Sequence, residues 1–535
     1  MKRRTFIALG IGATAIGIES CSPDNKLNKA TLSVQNNPLT RLKRLTLGFS
    51  LRKANKYLIH AETESINDLI KTKEQLSLPI NFEFNDDRTV KIGETWVDAV
   101  YRLDVFYEQY RKKSLRSWLV KEMTTKKCSI QIQMMLFWLN HFAIADVIEH
   151  KFEYLHIKLL HSSAFGNIKK LVKEITVDPA MLRYLNGSEN TKSSPNENYA
   201  RELLELFTIG KGVLMAEGNY TTYTEEDVRE CAKILTGWRD KGWFTREESL
   251  KPGVEFIPFN HDNSIKKLSK SFGYFEVADE GENEFKTLID RIFARKETAL
   301  NFAQKLVTWF IGDEPQKNEI LVCKVADILF ESDYEIMPAL QCLIQCKEIN
   351  ETTHLRIKSP AQFVLGILNA VPVEQSLDLK QQNNYYYTIF KLMSEMGMEL
   401  LKPPGVAGWK AYYQYPILSK QWINASAQIK RTQFVKKLIF DGIEANEIKL
   451  KADINAFLNQ FKKQTLKQVI DTSIYYFHPI YDEAFAKKTW NDLLAVCDEK
   501  SWNESLSVGE YTALQRESIK QALFSILMQP QTNLI

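Results

Sequence analysis

Residues 194–212 read SPNENYARELLELFTIGKG, and residues 223–238 read YTEEDVRECAKILTGW. In the first block Tyr199, Leu203, Leu206 and Phe207 recur at helical spacing, and Gly210 closes the run. In the second, Val228, Cys231, Ile234, Leu235 and Trp238 make an apolar stripe of the same period. Two amphipathic helices are therefore expected, over 195–209 and 225–238. Ser194 is placed to cap the first, Pro195 suits the first helical position, and Glu197 stands where a capping box puts its acid. Thr224 and Asp227 repeat that logic on the second.

Capping does not account for the remaining polar residues. Glu197, Arg201 and Glu205 fall on one stripe at intervals of four, and Asn198, Glu202 and Glu205 fall on its neighbour. Two readings stay open. One is a solvated ladder of ion pairs. The other is a partly buried polar face on which Arg201 orients Glu202, or an anionic ligand, through its planar fork.

Working outward, helical period dominates the chain. It is expected over 53–60 behind Ser50, then over 62–77, 95–124, 129–149, 154–161 and 165–176. Asp178-Pro179 opens a further short helix that stops near Asn186-Gly187. Beyond the signature, helices are expected at 284–294, 297–310, 316–331, 335–346, 358–371, 421–440, 452–460, 465–476, 480–497 and 514–528. Pro403-Pro404-Gly405-Val406-Ala407-Gly408-Trp409 reads as a rigid non-helical turn, and the Gln/Asn/Tyr-rich patch at 381–387 as a loop or helix start. Only 243–275 changes texture, toward a small hairpin or irregular insert. The fold class is mainly α: a large multi-helix globular fold with that one insert. The acidic stretch 276–284 is the best internal boundary, between helical regions over 39–275 and 285–535.

Composition narrows the function. The 535-residue chain is 44% hydrophobic and 25% charged, which is ordinary for a folded protein. A net charge of +4 leaves no nucleic-acid footprint. Apart from Cys21 there are six cysteines and no CxxC pair, so neither a zinc ribbon nor a disulfide framework is expected. GxSxG, phosphate-loop, GxGxxG and HExxH patterns are absent.

The N-terminus reads as targeting. Lys2, Arg3 and Arg4 precede Thr5-Phe6-Ile7, in the manner of a twin-arginine export signal, and a Gly/Ala-rich apolar run follows to Ile18. Cys21 closes it after Ser20, as in a lipobox although Glu19 is atypical there, so residues 1–21 read as a signal, with acylation expected at Cys21 and cleavage nearby without lipid as the alternative. Residues 22–38, polar and rich in Asn, Ser and Lys, are a tether. The expected location is the periplasm or cell surface, with the membrane held through the N-terminal lipid.

Two histidine pairs add to the candidates. Trp138-Leu139-Asn140-His141-Phe142 lies in an almost wholly apolar helix, where Asn140 and His141 are either a satisfied core pair or, with the nearby acids, a metal or proton site. His261-Asp262 is a second pair, on an expected loop.

Taken in order, these blocks resemble the bacterial domain of unknown function 1800 family over about residues 38–435. The series runs from Leu45-Thr46-Leu47-Gly48-Phe49-Ser50 through Phe137–Phe142, Val177–Leu185, NENYARELLEL and YTEEDV…LTGW. It continues through His261-Asp262, Lys358-Ser359-Pro360, the 403–409 turn and Trp422-Ile423-Asn424-Ala425-Ser426. The chain departs from the family pattern at Leu139, where a second His or polar residue is common. It departs again after Asp262, where NSIKKLSKSFG offers Lys266 or Lys267 in altered glycine spacing. The resemblance implies a helical exported protein, often encoded beside a sulfatase-like exported one, with no assigned reaction.

Asn140, His141, Glu197, Arg201, Glu202 and Asp227 are expected to converge in one pocket, with Trp238 and His261 at its wall and Asn196, Asn198 and Asp262 among its binding groups. Two functions compete. The first is a binding or assembly partner at the cell surface, holding a sulfatase-like protein or a glycan. The second is an extracytoplasmic hydrolase with His141, Glu197 and Glu202 as catalytic groups, or with a divalent metal held by them.

Overall fold

The computed structural model describes residues 37–60, 70, 73–84, 90–99, 105–126, 128–242, 252–351, 355–373, 377–446 and 448–535. The expected signal segment, Cys21 and all but the last two residues of the expected tether lie outside the described residues, as does most of the expected 62–77 helix. The protein is mainly α, with strands only in short antiparallel pairs among the described residues. No helix among them is long and apolar enough to cross a membrane.

Hydrophobic burial organises the chain. Buried apolar side chains from Leu39 to Leu527 form one connected cluster, to which both sides of the acidic 276–284 stretch contribute. The first described residue is already part of that body. Asn37 Nδ2 donates to the carbonyls of Tyr475 and His478, at 2.8 and 2.7 Å. Lys43 Nζ reaches the same two carbonyls, at 3.0 and 2.8 Å. Those carbonyls end the Leu466–Phe477 helix, whose negative pole favours a cation even in a buried setting.

Several element limits differ from expectation, and each difference has a local cause. The helix expected over 129–149 is Ile130–His141, because Phe142 leaves helical geometry (φ −100°, ψ 59°). His141 is thus the last residue of its helix, not an interior one. The helix expected over 225–238 is Glu225–Ile234. Gly237 turns the chain at φ +90°, where a Cβ would meet the Phe256 ring at 3.0 Å and the Ile257 carbonyl at 3.1 Å. Trp238 therefore opens a strand, Trp238–Lys241, paired with Gly253–Phe256. Together with the Lys266–Lys267 and Glu276–Val277 pair, this makes the expected insert, begun five residues early.

Two hairpins were not anticipated: Leu214–Ala216 with Asn219–Tyr220, and Ile443–Ala445 with Ile448–Leu450. The 381–387 patch lies inside a helix, Leu379–Glu395, which Asp378 and Gln381 start with a reciprocal capping box. Its tyrosines are packing groups, Tyr385 and Tyr386 both being buried. A helix at Glu499–Val508 was also unforeseen. Among the described residues no cysteine, Cys342 and Cys346 included, forms a disulfide.

Candidate functional site

The signature begins two residues later than its sequence suggested. Asn196 is the N-cap, accepting from the Asn198 amide, and Glu197 is the first helical residue. Ser194-Pro195 therefore does not cap, and Glu197 is released from a capping box. Asn190 fixes this entry: its Oδ1 accepts from the Asn196 amide at 2.8 Å, while its Nδ2 donates to the Ala232 carbonyl at 3.0 Å. Asn198 Nδ2 donates to the Leu185 carbonyl at 3.3 Å, tying the helix to the preceding short one.

After Glu202 the helix widens. Glu197–Glu202 is α-helical and Leu203–Phe207 is a π-turn. Such a turn, at a helix end, leaves carbonyls that need other donors. Here every one of the following is met. Thr208 Oγ1 donates to Leu203 O at 2.5 Å and the Gly210 amide to Leu204 O at 2.9 Å. Lys305 Nζ donates to Leu206 O, His141 Nε2 to Phe207 O at 3.0 Å, and Asn301 Nδ2 to Thr208 O at 2.5 Å. Lys305 Nζ also lies 3.2 Å from His141 Nδ1. Burial, with the Lys305 charge adding to it, pushes His141 well below the ordinary histidine value. Neutral His141 is thus the Nε2–H tautomer, donating to Phe207 and accepting from Lys305. Burial brings Lys305 itself down to about 7.

This arrangement corrects the expected role of His141. It does meet the signature segment, but at the carbonyl end of the π-turn and not at the acids. Both ring nitrogens are engaged, and Phe142 and Phe302 pack on the ring at 4.4 and 5.2 Å between centroids. Asn140 likewise acts elsewhere. Its Oδ1 accepts from the Trp409 amide at 2.9 Å and so holds the 403–409 turn.

Arg201 is committed to two acids. Its guanidinium forks onto Glu225, at 2.6 and 2.7 Å, and reaches Glu197 at 3.0 Å. Glu225 is held below the usual carboxylate range by that fork. The pair staples the two signature helices together on a half-exposed face.

Asp227 is wholly buried and fully used. It completes the expected capping box with Thr224. Its carboxylate also accepts from the Ser269 amide and hydroxyl, both at 2.7 Å, which anchors the insert.

His261 belongs to a second buried cluster. Its Nδ1 donates to the Thr236 carbonyl at 2.9 Å, and its Nε2 sits 3.1 Å from Glu284 Oε1. Lys266 Nζ holds both Glu284 oxygens, at 2.9 and 2.7 Å, with both side chains fully buried. Of the two lysines left open by the sequence, Lys266 is the buried one, and Lys267 is exposed against Glu276. His261, Glu284 and exposed Asp279 place ligand atoms within 4.8 Å of one another, a donor set with metal-like spacing. Lys266 already supplies a cation to Glu284 there. Asp262 turns outward onto Ser264 at 2.9 Å, and Trp238 packs edge-on against Phe285 at 5.5 Å.

The candidates thus separate into three clusters instead of sharing one pocket: His141 under the π-turn, Arg201 between the signature helices, and His261 beneath the insert. The reason is that each polar group found a nearer partner that sequence spacing does not reveal. Lys305, Glu225, Lys266, Glu284 and Ser269 are those partners. Sequence reasoning left Lys266 open beside Lys267 and passed over the other four as partners, although Lys305 in the apolar Lys296–Phe310 helix was a visible anomaly. A further buried network, Arg116 forked onto Glu153 at 2.6 and 2.8 Å with His150 at 2.7 Å, gave no local signal either.

Glu202 is the exception. Among the described residues no side chain hydrogen-bonds or pairs with it. It is half-buried, and burial, reinforced by Glu205, raises it to about 7. Glu205 is held by Tyr223 Oη at 3.1 Å and by Lys211. Lys211 leads into the first hairpin, where Val213, Leu214 and Met215 are exposed at 45, 61 and 70%.

The chain belongs to the family described as protein of unknown function (DUF1800), whose family model matches residues 27–528. That match extends past residue 435, where the resemblance of individual motifs ends. Comparison with curated proteins and with solved structures found no match.

Proposed function

We propose that this chain is an exported, lipid-anchored binding or assembly protein of the cell envelope, whose contact face is the Glu202 side of the signature segment. Its partner is a sulfatase-like exported protein or a glycan. One observation carries the reading: most of the signature's polar groups are consumed in stapling helices and the insert, whereas Glu202 is half-buried with no hydrogen-bond or ion-pair partner among the described residues. A scaffold that presents one carboxyl beside an exposed apolar hairpin suits recognition better than turnover. Co-isolation from envelope extracts tests it. The purified chain should retain a stoichiometric partner, keep it with Glu202→Gln, and lose it with Glu202→Lys combined with Met215→Asp.

A second reading rests on the same side chain. A half-buried carboxyl near 7, with Tyr184 and Glu205 nearby, has the protonation a general acid needs. Turnover of an envelope glycan by the parent chain, abolished by Glu202→Gln, would replace the binding reading with a hydrolase.

The raised Glu202 value also has a stability consequence. The unfolded carboxyl ionises near 4.5 and the folded one near 7. The folded state therefore holds more protons through that interval, and stability falls as pH rises across it. Glu202→Gln should raise the melting temperature at pH 8 relative to the parent and leave it unchanged at pH 4. Equal effects at both pH values would show that Glu202 is not perturbed.

Export and anchoring are read from Arg3, Arg4 and Cys21. Replacing both arginines by Lys should stop export through the twin-arginine route. Cys21→Ser should abolish incorporation of labelled fatty acid, and labelling that persists would move the anchor elsewhere.

A further inference from the structure

The segment after the 403–409 turn carries two kinds of side chain with opposite destinations. Trp409, Leu418 and Trp422 are buried, and the Tyr412 ring packs on Trp309 at 4.3 Å and near Trp422 at 6.0 Å. Short helical turns at Lys410–Tyr412 and Leu418–Trp422 brace both ends. Ser419 locks the base, its amide donating to Asp313 at 3.0 Å and its hydroxyl accepting from the Ile357 amide at 3.0 Å. Between these anchors Tyr413, Tyr415 and Ile417 face solvent, at 38, 56 and 48% exposure. These apolar groups contribute nothing to the core, so the fold does not require them.

Charge frames them. Lys410 and Lys420 flank the apolar tip, are exposed, and have no ion-pair partner among the described residues. No Asp or Glu occurs between Glu399 and Asp441. A braced loop with an apolar, tyrosine-bearing tip and lysine shoulders matches the boundary of an anionic lipid leaflet, where apolar groups enter and ammonium groups meet headgroups.

The position of the first described residue selects this occupant. Asn37 is hydrogen-bonded to the His478 carbonyl at 2.7 Å, and Lys358 Nζ to the adjacent Phe477 carbonyl at 3.2 Å. The next residue, Ile357, bonds Ser419 at the base of the loop. Asn37 and the base of the loop are thus linked through one hydrogen-bonded block. The segment from Cys21 to Asn37 reaches at most about 58 Å at ~3.3–3.6 Å per residue. A leaflet holding Cys21 is therefore within range of this loop.

We propose that the 410–420 loop is a membrane-contact site for an anionic lipid leaflet, the one in which the N-terminal anchor sits. The proposal rests on the anchored reading above for which leaflet is met, and on the loop itself for contact. The tether limits distance, and the loop sets which way the body faces.

Sedimentation with vesicles tests it on the full-length Cys21→Ser chain, which has no lipid of its own. That chain should bind phosphatidylglycerol-rich vesicles, bind phosphatidylcholine vesicles far less, and release in high salt. Lys410→Gln with Lys420→Gln should weaken binding about thirtyfold, from roughly fivefold for each lysine near an anionic surface. Tyr415→Ser with Ile417→Ser should weaken it in low and high salt alike. Since these side chains point outward, melting curves of the variants should match that of the parent. Variants that sediment as the parent does would overturn the proposal. So would loop-dependent binding of a soluble acidic polysaccharide by a chain that ignores vesicles. Fatty-acid labelling of Cys21 in cells reads the anchor separately. Loop-dependent vesicle binding without labelling would end the anchored reading and support the contact.

Discussion

Gly408→Ala should be the most damaging single-methyl change in the molecule, costing about 4 kcal/mol or preventing accumulation of folded protein. Two terms add. At φ +85° an alanine is strained by roughly 1–2 kcal/mol. Its Cβ would also stand 2.3 Å from the Asn140 backbone carbonyl and 2.5 Å from Asn140 Oδ1. The side-chain oxygen could swing away, although it would then drop its bond to the Trp409 amide. The carbonyl belongs to the last turn of the Ile130–His141 helix and cannot yield without moving His141, and with it the π-turn. Asn140→Ala alone loses the Trp409 hydrogen bond and should cost about 1–3 kcal/mol. The double variant relieves only the side-chain clash and leaves the backbone one, so it should remain well below Asn140→Ala in stability. Denaturant midpoints of the three proteins decide this. A Gly408→Ala protein within about 1 kcal/mol of the parent would mean that the turn is not pressed against the helix as described.

Glu284→Ala should cost about 3–5 kcal/mol, the range for stripping one partner from a buried ion pair. Lys266 and Glu284 are both fully buried, so the remaining ammonium would face only the Asp262 carbonyl and the more distant Asp262 carboxylate. His261 would lose its Nε2 partner in the same step. Lys266→Met combined with Glu284→Leu removes both charges and should recover most of the loss, because an apolar pair of similar volume carries no desolvation cost. Urea midpoints and proteolysis of the 253–277 insert would read both effects. If Glu284→Ala alone were neutral, the pair would be hydrated in solution.

The two clusters explain how far sequence reasoning reached. The mainly α fold and the capping of the Glu225–Ile234 helix were legible because both rest on local rules. Apolar period places a helix, and Thr224 with Asp227 starts one. The insert was legible as a break in that period. Asn384, Tyr385 and Tyr386 stayed open between a loop and a helix start, because a Gln/Asn/Tyr run has no apolar period, and burial in the Leu379–Glu395 helix decides for the helix start. Glu197 misled because Asn196, tied to Asn190, outcompeted Ser194 as the cap.

By itself the sequence determined that this protein is a large helical body with two capped signature helices and a strand insert, since helix period, caps and breakers act within a few residues. Only the tertiary structure decided what the signature's polar groups do. Arg201 meets Glu225 from the next helix, Asp227 meets Ser269 of the insert, and His141 meets Lys305, 164 positions away. A buried polar group must be satisfied by whatever packing brings nearest, and packing is set by apolar faces far apart in the chain. For the same reason Glu202, unremarkable among the acids of its motif, is left half-buried without a partner among the described residues.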